Sequence, residues 1–131
     1  MKINNLPGVL RRLGIVIVFS GIGIWEVINP IDWVGYIPSF LHQFLEPSLL
    51  VRLHGASLII VAAALLFGVY RRLFAVVGTI IMLSVVLSLV FITASGGRVL
   101  DILLRDIAIF IFVASLAFDE STTKTSSSSP K

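Results

Sequence analysis

Four long apolar stretches take up most of this 131-residue chain, over about residues 9–28, 48–70, 73–95 and 100–118. Each is close to the roughly 20 residues with which a helix crosses about 30 Å of hydrocarbon. A chain this short with such continuous apolar runs cannot close a barrel, and an open sheet leaves backbone groups unpaired in lipid. The sequence therefore predicts an all-α integral membrane protein, with one four-transmembrane-helix bundle over residues 1–118 in the lipid bilayer.

Composition excludes several classes of protein. Charged residues are 13% of the chain and hydrophobic residues 57%, whereas an average soluble domain has about 25% charged residues. The chain has no cysteine, which excludes disulfides, thiolate metal sites and iron–sulfur clusters. The net charge of +3 does not indicate nucleic-acid binding, because the basic residues flank apolar segments. No small-residue cleavage site follows the first stretch, so we expect it to remain in the mature protein.

Basic residues predict the orientation of the bundle. Seven lysines and arginines, in the two terminal regions and at Arg71-Arg72, fall on one side, and Arg52, Arg98 and Arg105 fall on the other. The positive-inside rule then places both termini in the cytoplasm and the protein in the plasma membrane. Residues 119–131 are rich in Ser and Thr, and we expect them to form a disordered cytoplasmic tail.

The connection between the first two stretches, Asn29 to Pro47, faces outward in this topology. Aromatic and aliphatic residues recur in it at roughly helical spacing, and Pro30 and Pro38 would break any long helix into short pieces. The pattern predicts an amphipathic extracytoplasmic loop that lies in the interface, with Trp33 and Tyr36 at headgroup depth.

Ionisable residues interrupt three of the four stretches near their outward ends. A rise of about 1.5 Å per residue places Glu26 and Arg105 about 21 Å from the nearest cytoplasmic anchor, and His54 about 25 Å. Charges at this depth usually face a bundle interior and mark a functional site. Glu26 lies level with the Arg105-Asp106 pair, and Asp101 has the spacing to pair with Arg105. The predicted ligand-binding or polar network comprises Glu26, Trp33, Tyr36, Arg52, His54, Asp101, Arg105 and Asp106.

Two interpretations of this network stay open at this point. It can bind a ligand, or it can fix which helices pack together, with His54 as one satisfied polar residue. A metal site is not predicted, because one histidine among carboxylates does not resemble the usual ligand set of several His or Cys. The residues alone assign no catalytic role.

The chain resembles the DoxX/DoxD-like family of small four-helix membrane proteins, over about residues 10–118. The most specific part is the Arg-Asp pair that enters the last helix, and one departure is His54-Gly55 in a region where many members carry a glutamate. The resemblance rests on Arg12-Leu13-Gly14, Gly21, Trp25-Glu26, Asn29-Pro30, Trp33, Tyr36, Pro38, the run Leu66 to Arg72 with the apolar run from Ala75, and Leu103 to Ala108.

The resemblance implies an association with membrane redox chemistry, and quinone is the cofactor that it points to. The first hypothesis is therefore an accessory subunit of a quinone-linked oxidoreductase that works with a membrane or peripheral redox protein. We expect no covalently bound cofactor, because a bis-histidine haem within the bundle would need His42, which is on the loop, to move inward beside His54. The alternatives are a non-catalytic assembly subunit, in a larger complex or a homo-oligomer, and a carrier of small molecules or lipids. Transporters usually show an inverted repeat and broken helices, which this sequence lacks.

Overall fold

The computed structural model describes the backbone of residues 6–125 and the side chains of residues 6–118. All the regular secondary structure in that range is helical, and there is no strand. The all-α prediction is therefore confirmed for the described residues. The long helices are α1 (Leu6–Ile28), α2 (Pro47–Phe67), α3 (Arg71–Ala94) and α4 (Leu100–Thr125). In the described part of the chain, α1, α2 and α3 are long and apolar enough to cross a membrane.

The connection between α1 and α2 folds into two short 3₁₀ segments, Pro30–Tyr36 and Ser39–Gln43. Pro30 begins the first segment, and Pro38 precedes the second. Proline has no backbone N–H and a fixed φ, so it suits the start of a helical turn and prevents one long helix here. Phe40 anchors the second segment on α3, where its ring meets Phe91 edge-on at 5.5 Å between centroids.

Several helix ends differ from the predicted limits: α1 begins at Leu6, α3 begins at Arg71, and the largest differences are at the ends of α2 and α4. α2 ends at Phe67 because Gly68 adopts a left-handed conformation, with φ 75°, which favours glycine and turns the chain into α3. α4 continues past residue 118 to Thr125, into the predicted tail, where residues 119–125 contain no Gly or Pro to stop a helix. The rest of that tail, residues 126–131, lies outside the described residues.

The helices pack mainly as two pairs, α1 with α2 and α3 with α4. Phe19 of α1 is fully buried at the centre, with Val61 of α2 and Val113 of α4 around it. Gly78 brings α3 close to this core, since a Cβ there would lie 3.1 Å from the Phe19 ring. Small residues of this kind allow close packing between membrane helices, where hydrophobic burial supplies little driving force.

Candidate functional site

A cavity of about 280 Å³ lies between the two helix pairs, beneath the 3₁₀ segments, and we call it the central cavity. Its inner part is apolar and includes Phe19, Leu58 and Met82. Toward the loop, the lining combines apolar loop residues, Ile37, Pro38 and Leu41, with polar and aromatic ones. The polar and aromatic ones are Glu26, Trp33, Tyr36, His54, Arg105 and Asp106.

Two glycines place the polar residues contributed by α1 and α2. A Cβ on Gly23 would lie 2.6 Å from the carbonyl oxygen of Gly55, and a Cβ on Gly55 would lie 2.7 Å from that of Gly23. Real Cβ atoms do not come that near, so only glycine at both positions lets the two backbones approach to this distance. Glu26 is one helical turn beyond Gly23, and His54 adjoins Gly55, so this crossing brings their side chains together.

Glu26 and His54 form a pair across this helix crossing. The Nδ1 atom of His54 lies 2.7 Å from Oε2 of Glu26. Glu26 is buried, with only 4% of its surface exposed. When Glu26 is ionised, Nδ1–H donates to it, so a neutral imidazole keeps Nε2 as a hydrogen-bond acceptor. Nε2 is buried and has no hydrogen-bond partner among the described residues. The pair therefore orients the imidazole in the cavity wall and leaves Nε2 without a hydrogen bond to a described residue.

Arg105 and Asp106 form a second, local pair at the start of α4. Nε of Arg105 donates to Oδ1 of Asp106 at 2.8 Å, and Asp106 is 5% exposed. The predicted Asp101–Arg105 pair is not formed in the described part of the chain, where Asp101 is exposed. A buried carboxylate without a counter-charge is costly, so Arg105 pairs with Asp106 and leaves Asp101 to solvent or lipid headgroups.

Six of the eight predicted site residues line the central cavity. Arg52 and Asp101 do not lie in this wall and are exposed. Arg52 precedes His54 by two residues, which is about 200° around a helix, so the two side chains face different directions. Glu26, which helical rise placed level with the Arg105-Asp106 pair, contacts His54.

Aromatic rings cover the outer side of the cavity. The Trp33 ring lies edge-on to Trp25 at 6.4 Å and to Tyr36 at 5.9 Å between centroids. Nε1 of Trp25 donates to Oδ2 of Asp32 at 3.2 Å. Nε1 of Trp33 is buried and has no hydrogen-bond partner among the described residues. Trp33 therefore adds a free donor to the acceptor at His54.

Sequence reasoning missed Gly23 and Asp32. Gly23 lies three residues before Glu26 and so shares its helix face. A glycine on the same helix face as the acid Glu26 could have indicated that another helix packs closely there. Asp32 gave no comparable signal, because its role depends on the fold of the loop. Among the described residues, no three His, Asp or Glu side chains come together as a metal site would require.

The fold and the cavity define a small helical membrane protein with a polar site near one end of its bundle. The sequence matches the family model of DoxX over residues 9–94. Since this is more than half of the chain, the protein belongs to the DoxX family. The match ends before α4 and therefore does not include the Arg105-Asp106 pair. Comparisons with curated proteins and with solved structures gave no match.

Proposed function

We propose that this protein is a membrane subunit of a quinone-linked redox system and binds a quinone in the central cavity. The observation that carries the proposal is the free Nε2 of His54, buried in the cavity wall beside Glu26. A quinone has oxygens that accept hydrogen bonds, and its reduced form has hydroxyl groups that donate them. The reduced form matches the two nitrogens: one hydroxyl group donates to Nε2 of His54, and the other oxygen accepts from Nε1–H of Trp33.

The size and lining of the cavity favour a single aromatic ring. A dry cavity of about 150 Å³ accommodates benzene, so about 280 Å³ accommodates a substituted ring of the benzoquinone class. The inner apolar wall, with Phe19 and Met82, suits the ring, and the polar residues toward the loop suit its oxygens. Ligand sites commonly combine mostly apolar walls with a few placed polar groups.

Proton exchange is the chemistry that Glu26 and His54 supply in this proposal. Nε2 accepts a proton from a hydroxyl group of the reduced ligand, and Glu26 stabilises the resulting imidazolium through Nδ1–H. The electrons pass to or from a partner protein, since the chain has no cysteine and only two histidines. No side chain is therefore assigned a role in electron transfer.

The arrangement of the ion pairs supports ligand binding. Glu26–His54 joins α1 to α2, and Arg105–Asp106 stays within α4. Neither pair connects the two halves of the bundle, between which the cavity lies. The Glu26–His54 pair does hold α1 against α2, but neither pair spans the cavity, so the space between the halves stays open to a ligand.

The proposed topology has four crossings, with both termini in the cytoplasm and the cavity near the outer surface of the plasma membrane. The apolar part of α4, up to residue 118, supplies the fourth crossing. The excess of basic residues near the termini and at Arg71-Arg72 sets the orientation. The partner is a membrane or peripheral redox protein.

Binding is tested by titrating the protein in lipid nanodiscs with a short-tailed benzoquinol, the reduced form whose hydroxyl group can donate to Nε2 of His54, and recording tryptophan fluorescence. Trp33 lines the cavity, so we expect saturable quenching. His54→Ala should weaken binding about tenfold, the equivalent of one buried hydrogen bond. His42→Ala is the matched control, because His42 is exposed on the loop and outside the cavity wall. Absence of saturation, or equal affinity of His54→Ala and wild type, contradicts the proposal.

A further inference from the structure

A second pocket, of about 200 Å³, adjoins the central cavity and shares Trp33 and Tyr36 with it, and we call it the outer pocket. Trp33, Tyr36, Ile102 and Arg105 line both spaces, whereas Trp25 and Asp32 line only the outer pocket. We propose that the outer pocket binds the zwitterionic headgroup of a phospholipid of the phosphatidylethanolamine class. This inference is independent of what the central cavity binds.

Asp32 and Arg105 give the outer pocket one charge of each sign. Oδ2 of Asp32 accepts a hydrogen bond from Trp25, which orients the carboxylate and leaves Oδ1 without a described partner. Arg105 uses Nε to bind Asp106, and its terminal amino groups make no hydrogen bond to a described residue. An ammonium group matches the carboxylate of Asp32, and a phosphate matches the guanidinium of Arg105, since arginine amino groups bind phosphate oxygens well. A purely anionic headgroup would leave Asp32 facing a like charge.

The aromatic rings favour an ammonium group in the same pocket. Trp25, Trp33 and Tyr36 pack edge-to-face along its wall. The face of a tryptophan or tyrosine ring attracts a cation within about 6 Å of its centre. The half of the headgroup that lies beside Asp32 and Trp25 therefore carries the positive charge.

The surroundings of the pocket decide in favour of a lipid over a water-soluble zwitterion. Large apolar side chains close in sequence to the pocket residues are exposed. They are Ile24 (50%), Ile28 (66%) and Ile31 (81%), close to Trp25 and Asp32, and Leu104 (61%), next to Arg105. In a membrane protein such side chains contact acyl chains, while tryptophan and tyrosine lie at the depth of the headgroups. A lipid whose chains cover these isoleucines places its headgroup at the outer pocket.

Native mass spectrometry tests the proposal with purified protein given equal amounts of phosphatidylethanolamine and phosphatidylglycerol. We expect wild type to retain phosphatidylethanolamine in preference, by about threefold or more, as one exposed ion pair allows. Asp32→Asn should abolish the preference, and Trp25→Phe, which removes the donor to Asp32, should reduce it. Asp101→Asn removes the same charge from an exposed site outside both pockets and should keep the preference.

Equal retention of the two lipids by wild type overturns the proposal, as does an unchanged preference in Asp32→Asn. Asp32 is exposed, so its substitution should not prevent folding, and gel filtration of each variant verifies this. Since Asp32 is not part of the central cavity wall, quinone binding by Asp32→Asn should match wild type. A failure of lipid selectivity is therefore distinguishable from a failure of quinone binding.

Discussion

Gly23 and Gly55 face each other where α1 crosses α2, so closely that a Cβ on either would lie within 2.7 Å of the other's carbonyl oxygen. A Cβ on Gly55 would also lie 2.8 Å from Cβ of Glu26. The two glycines therefore determine both the separation of the helices and the distance between Glu26 and His54. Packing and the candidate site depend on the same crossing.

Gly55→Ala should destabilise the bundle and separate Glu26 from His54. The added methyl group meets backbone atoms of α1, which cannot move aside as a side-chain end can, and overpacking of this kind costs about 1–3 kcal/mol. Thermal unfolding in detergent, followed by circular dichroism, measures the loss. Gly21→Ala is the control, because Gly21 is exposed and an added Cβ there meets nothing within 4 Å. Equal stability of the two variants would contradict the close approach.

Glu26→Ala should change the tautomer of His54. In wild type, the carboxylate at 2.7 Å from Nδ1 favours a proton on that nitrogen, and without the carboxylate this preference is lost. Nitrogen chemical shifts of the imidazole ring, recorded by NMR on histidine-labelled protein, report the change. The signals of His42, which is on the exposed loop, should stay the same. Identical His54 shifts in wild type and variant would show that the pair is absent.

Asp106→Ala should lower the free energy of unfolding by about 1–3 kcal/mol, since it removes a buried acceptor and leaves Arg105 without its counter-charge. Asp101→Ala should cost less than about 1 kcal/mol, because Asp101 is exposed and contributes mainly by its position in the first turn of α4. Thermal unfolding of the two variants under the same conditions compares them directly. A larger loss in Asp101→Ala would indicate that Arg105 relies on Asp101 instead.

Single cysteines should report the proposed topology, because the chain has no cysteine of its own. Gly35→Cys is on the loop, where an added side chain meets nothing within 4 Å, and should react with a membrane-impermeant maleimide in intact cells. Arg72→Cys lies in the first turn of α3 and should react only after permeabilisation. The reverse pattern would invert the proposed orientation.

Much of the fold was predictable, because membrane helices are recognised by length and hydrophobicity alone. The proline-broken loop followed from residues with strong local preferences, whereas the second stretch was predicted to reach residue 70 and its helix ends at Phe67, before Gly68. The end of α4 was less predictable, because a polar segment without Gly or Pro gives no clear stop signal.

The sequence by itself determined that the chain is helical, that it is built for a membrane, and that its buried charges gather near one end. Helix periodicity and rise are local properties, so depth along each helix could be calculated residue by residue. The partners of those charges were decided only by the tertiary structure. Glu26 meets His54 because two glycines allow one close crossing, and Arg105 turns to Asp106 because that carboxylate is buried. Rotation and spacing between helices depend on packing from several segments at once, which no single stretch of sequence specifies.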